Sequence, residues 1–400
     1  MAKKKKRKLK RWVKVVLWSM MLALGTWIIW WPANVLLEYW EEASLKDTQR
    51  NTFQPENVLT THEADSAMAK KVLRFIESPT RLDTANIAVS VWNLSSTSPV
   101  VQWHDQELIV PASSLKLLTA ISALKRLGHD HKYTEKVLMT GTLKNGILHG
   151  DIIFQADDNP MVETLNEYTN AISRAGIRKI DGRLILNLMR TDTLKAHHTA
   201  SLWDIPYNRT PILLKGAPRV AQEIRLLLKQ AGVDAPRPII EEGMKIYPTA
   251  RVLKSKTTDM TDVIAPMLIF SSNIKADALY YHVDHYKDRY TTGIGKREPV
   301  LNAFLRENLR YDTTGFILND GSGLSPENMV SADFLLSLLR YAWTEPEIKD
   351  ILINEALATP GHPTRRGSLI YRMNDPIFVN RIFCKTGTLT SIGASSLCGY

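Results

Sequence analysis

Apolar residues recur with strand and helix periods in clearly separated segments of the chain. Residues 67–78 have helical spacing, while residues 86–94 and 100–110 predict two strands joined by a polar turn. Pro111 then begins an apolar helical segment that Gly128 ends. The first part of the chain therefore predicts a helix, two strands and a second helix, in that order.

The middle of the chain, residues 129–261, mixes the two periods. Asn145 and Gly146 predict a tight hairpin turn, because this dipeptide adopts the positive φ angles that such turns need. Residues 164–188 predict a helix, a turn and a strand. The helical spacing of residues 219–233 predicts a second unit of this kind.

The remaining residues are expected to be mainly helical until close to their end. Residues 262–283 predict one buried-looking helix, and a glycine turn at residues 319–328 leads into a second helix at residues 331–343. Residues 380–389 predict a strand, and the segment after it predicts a second strand antiparallel to the first.

The net charge of +10 over 400 residues suggests a nucleic-acid partner, but its distribution argues against this class. The N-terminal block holds nine positive charges: Lys3, Lys4, Lys5, Lys6, Arg7, Lys8, Lys10, Arg11 and Lys14. The rest of the chain carries a net charge of +1, so no basic face for nucleic acid is expected. The apolar fraction of 44% is sufficient for a packed core.

An uncharged apolar segment, residues 15–31, follows the basic block. At about 17 residues, it has the length of a short membrane-spanning helix. Tryptophans typical of interfacial anchors occur at Trp12, Trp30, Trp31 and Trp40. Positive residues favour the cytoplasmic side, so the rest of the chain is expected outside. We interpret the segment as an uncleaved anchor; the alternative is a cleaved signal peptide, although no Ala-x-Ala site follows at once.

Ser113 and Lys116 form the first of three short patterns that carry candidate chemistry. Their spacing at the start of a helix places both side chains on one face. A serine hydroxyl needs a nearby base to act as a nucleophile, and a lysine can be that base only when burial or positive charge lowers its pKa. The apolar neighbours Leu117, Leu118 and Ile121 favour burial. The alternative is a helix cap beside a surface lysine.

The second pattern, Ser271-Ser272-Asn273, lies within the predicted apolar helix at residues 262–283. Polar residues in such a helix destabilise it unless they are paired or line a cleft. A hydroxyl and an amide two residues apart can relay a proton and hold a substrate amide. The alternative is a hydrogen-bonded patch between packed helices.

The third pattern, Lys385-Thr386-Gly387-Thr388, lies on the predicted strand near the end of the chain. A glycine within a strand often marks the close approach of another backbone or of a ligand. Lysine and threonine beside it can bind a carboxylate. The alternative is an ordinary edge strand on which the lysine prevents aggregation.

In this order, the three patterns resemble the Ser-x-x-Lys, Ser-x-Asn and Lys-Thr-Gly motifs of penicillin-binding proteins and serine β-lactamases. Residues 111–120, 271–279, 319–328 and 384–400 resemble the class C low-molecular-mass penicillin-binding proteins, the DacB-like D-alanyl-D-alanine carboxypeptidase/endopeptidases. Residues 149–162 resemble a further segment of that family, with Asp158-Asn159-Pro160 in place of Gly-Asp-Pro. The resemblance extends with gaps from about residue 67 to residue 400.

The resemblance implies an α+β fold of the penicillin-binding protein and serine β-lactamase type, in which helices pack on an antiparallel sheet and a subdomain is inserted. The expected division is a basic segment and anchor at 1–34, a linker at 35–66, a first part of the transpeptidase domain at 67–128, an inserted subdomain with a helical region at 129–261, and a second part at 262–400. The insert is short for this family. The last strand and the C-terminal helix of the family's fold are expected to be missing.

The resemblance also implies roles for the motif residues. These roles are acylated nucleophile for Ser113, base for Lys116, proton shuttle for Ser271, acyl side-chain binding for Asn273, positive potential for Lys385, and substrate binding for Thr386, Gly387 and Thr388. The backbone N–H groups of Ser113 and Thr388 are the expected oxyanion hole. The implied reaction is attack on the D-Ala-D-Ala bond of peptidoglycan stem peptides and hydrolysis of the acyl-enzyme, with β-lactams as inhibitors. Ser272 stands where family members often have aspartate.

The predicted anchor implies a location in the bacterial cytoplasmic membrane, with one span and the catalytic domain on the periplasmic side. No cofactor or metal is expected, because His129, His131, His197 and His198 lack a matched set of carboxylate or cysteine ligands. Two other functions stay open. One is a non-catalytic, membrane-tethered binder of peptidoglycan peptides, and the other is a β-lactamase or esterase on the same scaffold.

Both cysteines of the chain, Cys384 and Cys398, lie close to its end. They are equidistant from Ser391, near the expected turn, so a symmetric hairpin places them opposite each other. In an oxidising compartment this arrangement allows a disulfide, whereas a shift of one residue in the strand register prevents it, and the sequence leaves both alternatives open.

Overall fold

A computed structural model of the protein describes residues 62–77, 86–96, 98–194, 210–285, 300–373 and 375–400. All of these ranges belong to one compact unit, Phe53–Tyr400. The predicted basic segment and anchor at residues 1–34 and most of the predicted linker lie outside the described residues. Within the described ranges, no helix combines the length and the apolar character needed to cross a membrane.

Two antiparallel strands follow the first helix. The elements are helix α1 (His62–Glu77), strand β1 (Val89–Trp92) and strand β2 (Pro99–Trp103). The antiparallel pairing of β1 with β2 confirms the two predicted strands. Strand β2 is shorter than predicted, because His104 has a φ of +49° and turns the chain. Beyond this turn, Ile109 forms only an isolated bridge with Val330.

The predicted second helix begins with a tight turn. A 3-10 turn, Ala112–Leu115, precedes helix α2, Lys116–Arg126. Every residue of α2 up to Leu124 is buried. Its apolar side chains, among them Leu118 and Ile121, belong to a hydrophobic core made mostly by helices. Burial of this helix places its first residue, Lys116, inside the protein.

Residues 132–259 build a separate set of strands. These strands are β3 (Lys132–Met139), β4 (Thr142–Lys144), β5 (Ile147–His149), β6 (Ile152–Ala156), β7 (Lys179–Ile180), β8 (Leu184–Leu188), β9 (Pro238–Glu242) and β10 (Arg251–Asp259). A five-stranded sheet has the order β10-β3-β6-β8-β9, antiparallel at its first two contacts and parallel at its last two. β4 and β5 form the predicted hairpin, with positive φ at Asn145 and Gly146.

Two helices pack with this mixed sheet. Helix α3 (Asn166–Arg174) lies between β6 and β7 in the chain, and helix α4 (Ala217–Gln230) lies between β8 and β9. The two predicted helix-to-strand units are thereby confirmed. Ile172 of α3 and Ile224 of α4 share a core with Phe154 on the sheet. This core is distinct from the one that contains α2.

The prediction of one helix over residues 262–283 is wrong, because the chain forms two. Helix α5 is Met260–Ile269 and helix α6 is Asn273–His285. Between them, Ser271 has a φ of +57°, a left-handed angle that cannot continue a right-handed helix. The N–H of Ser272 donates to the carbonyl oxygen of Met267 at 3.0 Å and closes the end of α5. The Ser-Ser-Asn pattern therefore lies at a helix junction rather than inside a helix.

Three more helices complete the helical part of the described chain. They are α7 (Val300–Phe304), continued by a π-helical turn at Leu305–Leu309, α8 (Ala332–Thr344), and α9 (Pro346–Ile351), continued by a π-helical turn at Leu352–Ala356. The hydroxyl of Ser331 accepts a hydrogen bond from the N–H of Phe334 and caps α8, the predicted helix. Side chains of α2, α5, α6 and α8 share the helical core.

The last two strands, β11 (Cys384–Leu389) and β12 (Ala394–Gly399), form the predicted antiparallel pair. Lys385 is paired with Cys398, and Cys384 with Gly399. Paired residues share one face and successive residues alternate, so the two thiols face opposite sides of the pair. Both cysteines are free, because the register differs by one residue from the symmetric one that would allow a disulfide.

The strand pairs and the helices are arranged in separate groups along the chain. In the described ranges the strands form four sheets: the pairs β1–β2 and β11–β12, the five-stranded mixed sheet, and a three-stranded sheet of order β4-β5-β7. Helices α5 to α9 follow the mixed sheet with no strand between them in the described residues. This architecture is α+β, as predicted.

Candidate active site

Ser113 lies at a sharp turn of the backbone just before α2. The preceding residue, Ala112, has a φ of +46°, a left-handed angle that is costly for a residue other than glycine. Tight packing holds this turn: a Cβ atom on Gly323 would come within 1.8 Å of the Ala112 carbonyl oxygen. The half-buried Ser113 is thereby held at the N-terminal end of α2, where the helix dipole favours negative charge.

Lys116 begins α2, and its side chain is fully buried, with 0% exposed. Its Nζ atom lies 2.9 Å from Oγ of Ser113, 2.7 Å from Oδ1 of Asn273 and 2.6 Å from the carbonyl oxygen of Ser322. An ammonium group donates to all three acceptors. A neutral amine keeps two donors and has a lone pair that can accept the Ser113 proton.

The electrostatic surroundings of Lys116 favour its neutral form. Burial lowers the pKa of Lys116 from its ordinary value of 10.5 to about 7, because the charged form loses its hydration. The positive charge of Lys385 contributes to this lowering, whereas Asp277 and Asp320 act in the opposite direction. A large fraction of Lys116 is therefore an uncharged base at neutral pH, which is the condition for activating a serine.

Ser271 and Asn273 enter the site from the junction between α5 and α6. The Oγ of Ser271 accepts a hydrogen bond from Nζ of Lys385 at 2.9 Å, and Asn273 accepts from Lys116 as described above. Ser272 instead caps α6, where its Oγ accepts a hydrogen bond from a backbone N–H at 3.4 Å. The outer two residues of the second pattern therefore meet the two lysines of the other patterns.

Strand β11 contributes a second buried lysine. The side chain of Lys385 is 1% exposed, and its Nζ also donates to the carbonyl oxygen of Thr386 at 2.7 Å. Burial lowers the pKa of Lys385 to about 8. The Thr386 hydroxyl donates to Oγ of Ser368 at 2.6 Å. Thr388 is exposed, and its hydroxyl donates to the carbonyl oxygen of Gly387 at 2.8 Å.

Gly387 allows β11 to lie directly against the turn that carries the nucleophile. A Cβ atom on Gly387 would lie 2.2 Å from Oγ of Ser396 and 2.9 Å from both the Pro111 carbonyl oxygen and the Ser113 nitrogen. The predicted close approach of another backbone to this glycine is confirmed. An oxyanion hole that uses amides of Ser113 and of this strand requires such proximity.

Several residues of the site were not identified from the sequence. Ser396 of β12 donates to the Pro111 carbonyl oxygen at 2.6 Å and is 2.8 Å from Oγ of Ser114, which ties the last strand to the nucleophile turn. Ser322 contacts Lys116 through its backbone carbonyl. Because every residue has this group, no sequence pattern could identify it. Asp277 and Asp320 are buried acids near Lys116. The usable signal in the sequence was Asp320, the second residue of the glycine turn at residues 319–328.

Of the histidine candidates, His129 and His131 lie within the described residues. In the part of the chain that the structure covers, no group of three or more His, Cys, Asp or Glu residues is placed to hold a metal ion. The ring of His131 packs edge-on against Tyr133, with centroids 5.0 Å apart. His197 and His198 lie outside the described residues.

Comparisons with known proteins agree with the geometry. A sequence profile of the D-Ala-D-Ala carboxypeptidase 3 (S13) family matches residues 68–208 and 213–400. A D-alanyl-D-alanine carboxypeptidase from Actinomadura sp. is 32% identical over 154 residues, which are 38% of this chain and only 28% of that protein. The D-alanyl-D-alanine carboxypeptidase DacB from Haemophilus influenzae is 20% identical over 406 aligned residues, covering 79% of this chain and 82% of that protein.

The fold is also similar to solved structures. Penicillin-binding protein 4 (DacB) from Haemophilus influenzae superposes with a TM-score of 0.60 at 20% identity, covering 78% of this chain and 86% of that one. The same protein complexed with a β-lactam gives a TM-score of 0.57 at 21% identity, over 79% and 86% of the two chains. These likenesses confirm the predicted α+β fold of the penicillin-binding protein type. With most of its length matched by the family profile, the chain belongs to the D-Ala-D-Ala carboxypeptidase 3 (S13) family, the penicillin-binding serine carboxypeptidases of peptidoglycan that its three motifs predicted.

Proposed function

We propose that the chain cleaves the D-Ala-D-Ala bond of peptidoglycan stem peptides through an acyl-enzyme on Ser113. The observation that carries the proposal is the 2.9 Å separation between Oγ of Ser113 and Nζ of the buried Lys116. Neutral Lys116 removes the hydroxyl proton while Oγ attacks the carbonyl carbon. The carbon–nitrogen bond to the terminal D-alanine then breaks, and the shortened peptide remains as an ester on Ser113.

Ser271 is the proposed proton donor to the departing D-alanine nitrogen. Its Oγ accepts a hydrogen bond from Nζ of Lys385, so this lysine can return a proton to the hydroxyl after transfer. Asn273 uses its Oδ1 to accept from Lys116, which leaves the amide N–H groups for a carbonyl of the acyl chain. In the second step water takes the place of D-alanine, and the same groups catalyse hydrolysis of the ester.

The third motif is the proposed subsite for the terminal carboxylate of the substrate. Lys385 supplies positive potential, and the hydroxyls of Thr386 and Thr388 can exchange their acceptors, Ser368 and the Gly387 carbonyl oxygen, for the carboxylate, so that together these groups favour an anion. The amides of Ser113 and Thr388 are the proposed oxyanion hole, supported by the contact of Gly387 with the Ser113 backbone. A β-lactam is bound by the Haemophilus influenzae protein, which supports acylation of this serine by the same inhibitors.

Residues 15–31 are proposed to anchor the chain in the bacterial cytoplasmic membrane, with the catalytic residues on the periplasmic side. Support comes from the sequence, in which a basic block precedes an uncharged apolar segment bordered by tryptophans. In fractionated cells, we expect the full-length chain in the membrane pellet until detergent releases it. A soluble mature form that starts after Trp31 would contradict the anchor.

The proposed reaction is tested with a fluorescent penicillin and a D-Ala-D-Ala pentapeptide. Wild-type protein should become covalently labelled and should release D-alanine, and Ser113→Ala should do neither while melting at the same temperature. Absence of label on the folded wild type would remove the serine-acylation mechanism. Label without D-alanine release would indicate a peptide binder, and rapid loss of label would indicate a β-lactamase.

A further inference from the structure

Residues 320–325 of the glycine turn are organised around one buried carboxylate. Oδ1 of Asp320 accepts hydrogen bonds from the backbone N–H groups of Ser322 at 2.9 Å, Gly323 at 2.5 Å and Leu324 at 3.2 Å. Its Oδ2 accepts from the N–H of Ser325 at 2.7 Å. Four consecutive amides therefore point at one side chain, and the carbonyl groups of Gly321 and Ser322 point toward α2.

The carbonyl of Ser322 points at the catalytic lysine. It accepts from Nζ of Lys116 at 2.6 Å, the shortest of the three contacts of that amine. The neighbouring Gly321 is fixed from two sides, since its carbonyl oxygen accepts from the Thr119 hydroxyl at 2.7 Å and its N–H donates to Oδ1 of Asp277 at 3.2 Å. The turn is thus tied to α2 and to α6 at the level of Lys116.

The orientation of the Lys116 amine depends on this carbonyl. A neutral amine has two N–H donors and one lone pair. When the two donors point to Ser322 and to Asn273, the lone pair is left for the hydroxyl of Ser113. Without a fixed acceptor at Ser322, the amine can rotate and its lone pair loses its direction toward the nucleophile.

We infer that Asp320 is a positioning residue for acylation, because its carboxylate shapes the turn that aims the Ser322 carbonyl at Lys116. The inference rests on the proposed function, in which Lys116 is the base. The turn therefore helps to position the base, in addition to bordering the site. Three charged groups surround the lysine: Lys385 from β11, Asp277 from α6 and Asp320 from the turn.

The variant Asp320→Asn tests this role, because an amide has the same shape but turns an N–H2 group toward backbone donors. We expect the rate constant for acylation by penicillin to fall by about 100-fold, the size typical of a misplaced catalytic group. Loss of the negative charge also disfavours protonated Lys116. The acidic limb of the pH profile of acylation should therefore move to lower pH, a change that a merely structural residue would not cause.

A matched control and a second variant complete the experiment. Asp312 forms a similar turn at the surface, where its Oδ1 accepts from the N–H and the hydroxyl of Thr314 at 2.9 and 2.7 Å. Asp312→Asn should keep the acylation rate and its pH profile. Thr119→Val keeps the shape of a buried side chain, removes the hydrogen bond to Gly321, and should lower the acylation rate by about fivefold.

The outcomes separate this inference from the proposed function. If Asp320→Asn is folded and acylates at the wild-type rate with an unmoved acidic limb, Asp320 has no positioning role. If Asp320→Asn does not fold, Thr119→Val decides, and a wild-type rate in that variant overturns the inference. In both cases, labelling and D-alanine release by the wild type uphold the proposed function. A wild type that is never labelled at Ser113 overturns both.

Discussion

Two buried polar clusters of this protein show opposite uses of the same physical effect. In the five-stranded sheet, the Glu135 carboxylate accepts from Asn159 at 2.8 Å and from the Tyr168 hydroxyl at 3.1 Å, and all three side chains are 0% exposed. Burial raises the pKa of Glu135. At the Ser113 site, burial lowers the pKa of Lys116. Both shifts favour an uncharged group, but only the uncharged amine is a base.

Access and backbone strain also distinguish the clusters. The Glu135 cluster is closed, and the two side chains that donate to Glu135 are neutral. The lysine cluster ends in the half-buried Ser113 and in the exposed Thr388. It is framed by Ala112 and Ser271, both non-glycine residues with left-handed φ angles. A buried titratable group is therefore a candidate catalytic group when it contacts a nucleophile that is accessible from solvent.

The largest loss of activity is expected from Lys116→Met, which keeps the volume of the side chain and removes the amine. Acylation by penicillin should fall by about 1,000-fold, the usual contribution of a general base. The measurement is the second-order rate constant for labelling, taken together with circular dichroism to confirm folding.

Lys125→Met is the matched control on the same helix. Its Nζ is 3.0 Å from Glu345, and both side chains are about a third exposed. This variant should acylate at the wild-type rate and lose at most about 1 kcal/mol of stability. If both lysine variants acylate equally well, Lys116 is not the base.

A smaller but still large effect is expected from Gly387→Ala. The new Cβ would meet Ser396, Pro111 and Ser113 at distances too short for any methyl group, so β11 must move away from the nucleophile. Acylation should fall by about 100-fold because the catalytic groups are displaced. Labelling kinetics provide the measurement. Gly393→Ala strains the hairpin turn at its left-handed φ of +69° but puts no atom within 4 Å of the new Cβ, so it tests the effect of general hairpin destabilisation without a clash at the nucleophile. Wild-type kinetics in Gly387→Ala would refute the close contact.

The smallest effect on activity is expected from Glu135→Gln, in the buried polar cluster of the five-stranded sheet. An amide can accept from only one of Asn159 and Tyr168, so the free energy of unfolding should fall by about 1–3 kcal/mol, with acylation unchanged. The raised pKa of Glu135 stabilises the protein below the ordinary value of 4.5, and this contribution is lost as the pH rises through the folded value.

Urea unfolding over a pH series measures this difference. The wild type should lose stability with rising pH above 4.5 by a contribution that Glu135→Gln lacks. Glu167→Gln, which removes half-exposed ion pairs to Lys254 and Lys256, should cost at most about 1 kcal/mol. Parallel pH dependence in wild type and Glu135→Gln would show that Glu135 titrates normally.

Local spacing placed Ser113 and Lys116 on one face, but the resemblance to a family was needed to assign chemistry to them. Ser113 and Lys116 are one helical turn apart, so their contact follows from sequence alone. The meeting of Lys385 with Ser271, far apart in the chain, followed only from the resemblance to a family. The tight turn at Asn145 was equally local, because it depends on a dipeptide that favours one geometry.

Features that depend on backbone geometry or on register could not be predicted in this way. The helix break at Ser271 arises from a left-handed residue that carries no glycine signal. Ser322 contributes a carbonyl group, which every residue has. The offset between Cys384 and Cys398 arises because the turn between β11 and β12 is not centred on Ser391, and one residue of offset places the two thiols on opposite faces of the pair.

The most direct test of the role of Lys116 is the pH dependence of acylation in the wild type and in Lys385→Met. Acylation requires neutral Lys116, so the wild-type rate constant should rise with pH through a midpoint near 7. Removing the charge of Lys385 should move this midpoint to higher pH, because that charge disfavours protonated Lys116. A wild-type midpoint at the ordinary lysine value of 10.5, or one that Lys385→Met leaves unmoved, would contradict the role of Lys116 as a base neutralised by its surroundings.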